Sequence, residues 1–255
     1  MNANSYSELL TLFRPVNLNQ LNHLKLMNRM DSKFVLPIHL LPIILKEASA
    51  FYQILEIENQ RSFLYKTEYL DSPEMSLYLE HHNQRLSRYK IRYRTYTQSG
   101  TTFLEIKRKT NKEKTLKSRI EVCEESQLSE PHYQFIESVV PLKERSLHVS
   151  STNFFNRITL ISFESNERIT LDFGLTMENQ FGKTSLNHVA IAEVKREKQT
   201  GSSPFFKILK TNRIYQRGFS KYCIGVALLN PKLKQNSFKP TITYLNKLNY
   251  EPVTN

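Results

Sequence analysis

In the run Arg88-Tyr89-Lys90-Ile91-Arg92-Tyr93-Arg94, every second residue is a cation and the residues between are aromatic or aliphatic. Side chains alternate across a β-strand, so an extended backbone here sets Lys90, Arg92 and Arg94 on one face and Tyr89, Ile91 and Tyr93 on the other. The same period returns at Glu105, Lys107 and Lys109, at Lys117, Arg119 and Glu121, at Arg168, Thr170 and Asp172, and at Glu193 and Lys195. Converging rows of guanidinium and ammonium groups bind polyanions, and the planar arginine fork holds phosphate oxygens in pairs. If these faces meet, they enclose a hole of polyphosphate size.

A strand with one face in water also alternates, but a solvated face mixes hydroxyls, amides and both signs of charge. Here cations dominate the polar faces. The opposite faces hold Ile91, Leu104, Ile106, Ile120, Val122, Ile158, Leu160, Ile169, Leu171 and Val194, which need cover from helices outside the sheet. A closed barrel with its polar side inward would invert the usual arrangement and is stable only if something fills its bore. Two cations about 7 Å apart repel by roughly 2 kcal/mol at an effective dielectric near 20, so such a bore needs an anion inside it. Neither GxxxxGK[ST] nor GxGxxG occurs, so a nucleotide would be gripped by side-chain charge on its phosphates, with weak base specificity.

The elements that must position these faces follow from periodicity. Strands are expected near residues 28–36, 52–57, 62–70, 89–96, 101–109, 114–123, 154–163, 168–176 and 188–196, with hairpin turns at 98–100 and 164–167. Leu18, Leu21, Leu24 and Met27 recur at helical spacing, and helices are also expected at 39–50, after 205 and over 220–229, with a flexible break at 198–204. His81 and His82 are read as structural, because adjacent helix positions diverge by about 100°. The aromatic residues are read as core.

The chain has 255 residues and a formal charge of +12, which indicates an anionic partner without naming it. Cys123 and Cys223 lie far apart with no metal-type spacing. Residues 34–45 form the most apolar stretch, interrupted by Pro37, His39 and Pro42 and far short of the roughly 20 residues that span a bilayer. No membrane span and a cytoplasmic location are expected.

Ten motifs occur in order: RMDSKFVL at 29–36, YLDSP at 69–73, LYLEHHN at 77–83, RYKIRYRTY at 88–96, FLEIKRK at 103–109, KSRI at 117–120, FNRITL at 155–160, RITLD at 168–172, AEVK at 192–195 and FSKY at 219–222. Together they resemble the VTC domain, the catalytic domain of the vacuolar transporter chaperone polyphosphate polymerases, within the triphosphate tunnel metalloenzymes. The resemblance implies an α+β fold, an eight-stranded antiparallel β-barrel tunnel with flanking helices. It implies one domain over 1–255, with a core of about 25–229 and a tail of 230–255.

By the same resemblance the activity is transfer of the γ-phosphate of ATP to a growing polyphosphate chain with Mn²⁺ or Mg²⁺. Lys33, Arg92, Arg94, Lys107, Lys117, Arg157 and Arg168 would bind phosphate, with Arg119, Lys195 and Asp31 sharing their face. Arg92, Arg94 and Lys221 would act at the reacting centre, and Glu193 would hold the metal. The partners implied are ATP, inorganic triphosphate or polyphosphate, and no sequence-specific nucleic acid. A triphosphatase using the same tunnel, or a non-catalytic polyanion binder, remains an alternative. The motif departs from the family at Gly218, where a lysine is expected just before Phe219, with Arg217 one step earlier.

Overall fold

A single sheet of eleven strands organises the chain, whose computed structural model describes residues 6–23, 29–112, 114–123, 128–197 and 203–250. Eight strands follow one path: β2 (Arg29–Pro37), β11 (Val189–Glu197), β9 (Glu167–Asn179), β8 (His148–Ser162), β4 (Phe63–Asp71), β5 (Arg88–Tyr96), β6 (Thr101–Lys109) and β7 (Thr115–Val122). Each neighbouring pair is antiparallel. Three short strands stand off this path. β1 (Pro15–Val16) runs parallel to β3 (Gln53–Leu55), β3 pairs with β8, and β10 (Gly182–Leu186) folds back on β9.

The eight-strand antiparallel order agrees with the sequence, but the expected closure into a barrel does not occur. Among the described residues no ladder joins β7 to β2. The free edge of β2 is met instead by irregular chain: Phe34 bridges Gln216, and the Arg217 N–H donates to the Lys33 carbonyl at 2.8 Å. Alternation within a strand decides which face is buried, not whether the last strand reaches the first.

Helices cover the apolar faces from outside. Leu41, Ile44, Leu45 and Ala48 recur at helical spacing and are fully buried on α3 (Leu41–Ala48), whose first turn accommodates Pro42 after a 3-10 turn at Ile38–Leu40. With Phe205 and Leu209 of α6 (Pro204–Thr211) they pack on Ile158, Leu160, Ile169, Leu171, Ala192 and Val194. Burying each large aliphatic side chain contributes about 1.5–3 kcal/mol. At the other wing, Ile136 of α5 (Glu130–Glu137) covers Ile91, Leu104 and Ile106.

Three more helices complete the described N-terminal half: α1 (Ser7–Thr11), α2 (Leu18–His23) and α4 (Ser76–His82). The expected continuation of α2 through Leu24 and Met27, and residues 198–202 of the expected break, lie outside the described residues. The C-terminal segment carries α7 (Lys221–Leu229) and α8 (Lys239–Tyr250). No described helix is long and apolar enough to cross a membrane.

Candidate active site

Strand register brings the cations of β5 and β6 into one ladder. Lys90 stands opposite Lys107, and Arg92 opposite Glu105, which is itself opposite Arg119 on β7. Arg92 donates from Nε at 3.0 Å and Nη2 at 2.6 Å to Glu105 Oε2, and Lys117 pairs with the other carboxylate oxygen. Burial opposes ionisation of Glu105, yet Arg92, Arg94 and Lys117 hold its carboxyl well below the usual range. Arg94 is also buried, and that burial, with Arg92 and Arg157 beside it, lowers its guanidinium to about 10.

A second ion cluster forms on the far strands. Arg157 of β8 grips Asp172 of β9 bidentately, at 2.6 Å and 2.7 Å, and Lys221 donates to the same carboxylate. Burial raises Asp172, but Arg157 and Lys221 prevail and lower it to about 2. On β11, Lys195 Nζ lies 2.8 Å from both Glu193 Oε1 and Asp31 Oδ2, and Arg168 is its register partner on β9. Lys33 donates to the Phe219 carbonyl at 3.0 Å.

These clusters face each other. β11 and β6 are five places apart along the sheet, about 24 Å if it were flat. Yet Lys107 of β6 is lowered first by Arg92 and burial, and also feels Glu193 and Lys195 of β11. Lys33 of β2 likewise acts on Lys90 of β5. The sheet is therefore curled, with the charged rows on its concave side.

The structure brings together Lys33, Arg92, Arg94, Lys107, Lys117, Arg157, Glu193, Lys195 and Lys221. Arg168 shares the concave face of β9 with Asp172. Arg119 is peripheral: it is exposed, and its guanidinium lies 4.4 Å from the Phe103 ring centre.

One end of the concavity is filled. Residues Tyr222 to Ala227 of α7 are all buried, which a helix achieves only when surrounded. Tyr222 stacks on Tyr69, and Gly225 leaves room for Met177 and Asn153 on the inner wall. Met177 reaches that wall because Gly174, at φ +62°, inserts an extra residue into β9 and flips the faces beyond Asp172. Leu245 and Leu248 of α8 back the plug against Val35, Val189 and Ile191. Ser220 caps α7, so the positive end of the helix, with Lys221, meets the charged half.

Several residues of the concave face carried no assigned role in the sequence. Lys90 donates to Ser220 Oγ at 2.8 Å, and burial lowers its ammonium. Glu105 and Asp172 shared the alternation but carried no role. Tyr65, Tyr69 and Phe155 are buried in the core, as expected, and with Phe103 they also lie against the cations. Arg157 lies 5.0 Å from the Tyr65 ring centre, and Lys221 4.4 Å from that of Phe155. Burial would raise the Tyr69 phenol, but Arg92, Arg94, Lys90 and Lys221 together lower it. The Arg217 guanidinium lies 4.1 Å from the Tyr244 ring centre on α8. His81 and His82 are structural, bonding to the Tyr89 carbonyl and to Asn83.

A sequence model of the VTC domain matches residues 28–230. The chain belongs to the VTC domain family. No curated protein matches it. Among solved structures, a proposed adenylate cyclase from Bacillus halodurans is 14% identical, covering 76% of this VTC chain and 96% of its own, with a TM-score of 0.49. A proposed adenylate cyclase from Vibrio parahaemolyticus is 12% identical over 78% and 99%, with a TM-score of 0.46. A proposed adenylyl cyclase from Hippeastrum, described as having a dominant triphosphatase activity, is 13% identical over 83% and 99%, with a TM-score of 0.45.

For a divalent metal, the VTC chain offers Glu193 and Asp31, whose carboxylates already share one ammonium. No group of three or more His, Cys, Asp or Glu side chains among the described residues could hold one alone. Two carboxylates completed by phosphate oxygens suit Mg²⁺ or Mn²⁺, which are commonly bound in this way.

Proposed function

We propose that the chain is a metal-dependent phosphotransferase that moves the γ-phosphate of ATP onto a polyphosphate chain. The observation that carries this reading is the convergence of Lys33, Arg92, Arg94, Lys107, Arg157, Lys195 and Lys221 on one concave face, with carboxylates confined to a few positions. In the reaction an acceptor phosphate oxygen bonds to the γ-phosphorus as the bond to the ADP oxygen breaks. Atoms and charge balance as ATP plus a chain of n phosphates going to ADP plus n + 1.

The acceptor oxygen is already ionised at neutral pH, so the side chains position and neutralise rather than remove a proton. Arg92 and Arg94 would clamp non-bridging oxygens of the transferred group, Lys221 would meet the developing charge at the end of α7, and Lys33, Lys107, Lys117, Arg119, Arg157, Arg168 and Lys195 would hold the flanking phosphates. A Mn²⁺ or Mg²⁺ on Glu193 would supply Lewis-acid polarisation of phosphate oxygens.

The test is incubation with γ-labelled ATP and Mn²⁺, followed by sizing of the product. Labelled long chains support transfer, and Arg92→Ala is expected to lower the rate about 10²–10³-fold. An Arg92→Ala rate equal to wild type rejects the assignment. A second reading, triphosphate hydrolysis, is favoured by Gly218, which stands where the family resemblance expects a lysine, with Arg217 beside it stacked on Tyr244. It predicts orthophosphate as the sole labelled product.

A further inference from the structure

The cationic ladder does not stop where the ion-paired residues do. Along β5, Arg88, Lys90, Arg92 and Arg94 occupy four successive positions of one face, and Arg88 is the register partner of Lys109. Lys109 leads into the β6–β7 turn, closed by the Thr110 N–H donating to the Lys114 carbonyl at 2.9 Å. The turn carries Lys112 and Lys114, both exposed.

Carboxylates of Glu105, Asp172, Glu193 and Asp31 pair with the cations of the concave face. Among the described residues, none lies within ion-pair distance of Arg88, Lys109, Lys112 or Lys114. Glu113 lies outside the described residues. Two of these cations share a neighbour, since burial and then Lys90, Arg88 and Lys109 lower His81 to about 3. Like charges set opposite one another on paired strands destabilise the fold, and such a row is relieved when an anion lies along it.

We propose that Arg88, Lys109, Lys112 and Lys114 form a docking track, outside the concavity, for the remainder of a long inorganic polyphosphate whose end occupies the concave site. The inference rests on the phosphotransferase reading for the identity of the chain. It adds a second contact region that a short triphosphate cannot reach. No exposed aromatic side chain stands among residues 85–90 or 107–117 apart from undescribed Glu113, so nothing there offers the stacking that single-stranded nucleic acid uses. A track here would also supply cations for the acceptor chain where Gly218 does not.

The experiment compares wild type with the triple variant Lys109→Ala, Lys112→Ala, Lys114→Ala, measuring affinity for tripolyphosphate, long-chain polyphosphate and poly(A) RNA across a NaCl series. The track predicts tripolyphosphate affinity unchanged within twofold. Long-chain affinity should fall at least tenfold at low salt, with the slope of log K against log [NaCl] shallower by about two. Wild type should bind poly(A) at least tenfold more weakly than polyphosphate.

Long-chain affinity and slope equal to wild type overturn the inference. So does an equal loss for tripolyphosphate, which would make the lysines a diffuse field. Equal binding of poly(A) and polyphosphate overturns the assigned partner. If wild type ignores tripolyphosphate altogether, the reading of the concave site fails, a result separable from loss of the track alone.

Discussion

Removing the carboxylate of Asp172 would leave the Arg157 guanidinium and the Lys221 ammonium facing one another in a buried place without their shared anion. Breaking one partner out of a buried ionic cluster costs about 3–5 kcal/mol, because the remaining charges stay desolvated. Asp172→Asn is therefore expected to lower the urea midpoint substantially, and tripolyphosphate should restore more stability to the variant than to wild type. Its acid behaviour gives a second readout. The folded carboxyl is lowered to about 2, below the ordinary value, so its contribution is complete above pH about 4 and lost as pH falls through about 2. The variant should lack that part of the acid transition. A variant as stable as wild type, with the same acid limb, would mean that Asp172 does not hold the two cations.

Among the elements, α7 makes the most demanding contact, and Gly225 permits it. A glycine in mid-helix costs about 1 kcal/mol relative to alanine, so its placement needs a reason. A Cβ at Gly225 would lie 3.0 Å from Met177 Sδ and 3.6 Å from Asn153 Oδ1, on the inner wall. Gly225→Val is expected to lose about 1–3 kcal/mol of stability in urea unfolding, through overpacking. Gly218 has nothing within 4 Å of the same position, so Gly218→Lys should stay within about 0.5 kcal/mol of wild type. An unperturbed Gly225→Val would place α7 away from that wall.

The same elements show what the sequence could reveal. On β5 and β6 a covered apolar face of Ile91, Leu104 and Ile106 backs the cations, so strict alternation was legible. On β4 the polar residues take the other face: Lys66 and Glu68 pair at 3.1 Å outward while Tyr65 and Tyr69 turn inward to Arg94 and Arg92. On β9, Gly174 resets the alternation half-way along. Glu105 carried the right parity, but a carboxylate among cations reads equally as a metal ligand or an ion pair. Closure between β2 and β7 depends on curvature summed over eight strands, which no local pattern encodes.

For the whole molecule, a formal charge of +12 on an open, curled sheet stores repulsion that a ligand can relieve. Lys107 is lowered chiefly by Arg92, and Arg94 by burial and then Arg92, so the concave face holds its charges at a cost even with its carboxylates in place. An anion with several phosphates, bound only by the folded chain, stabilises by RT ln(1 + [L]/Kd), about 2.7 kcal/mol at 100 times Kd. For a domain of this size, that corresponds to a rise in Tm of roughly 5–10 °C. Tripolyphosphate should give this rise at low salt, sulfate at matched ionic strength a much smaller one, and added NaCl should shrink both as the Debye length falls to about 3 Å near 1 M. Equal shifts from sulfate and tripolyphosphate would reduce the concave cations to a nonspecific surface. A large, selective shift requires that Lys33, Lys107 and Lys195, from walls five strands apart or more, engage one chain together, which only the curled sheet allows.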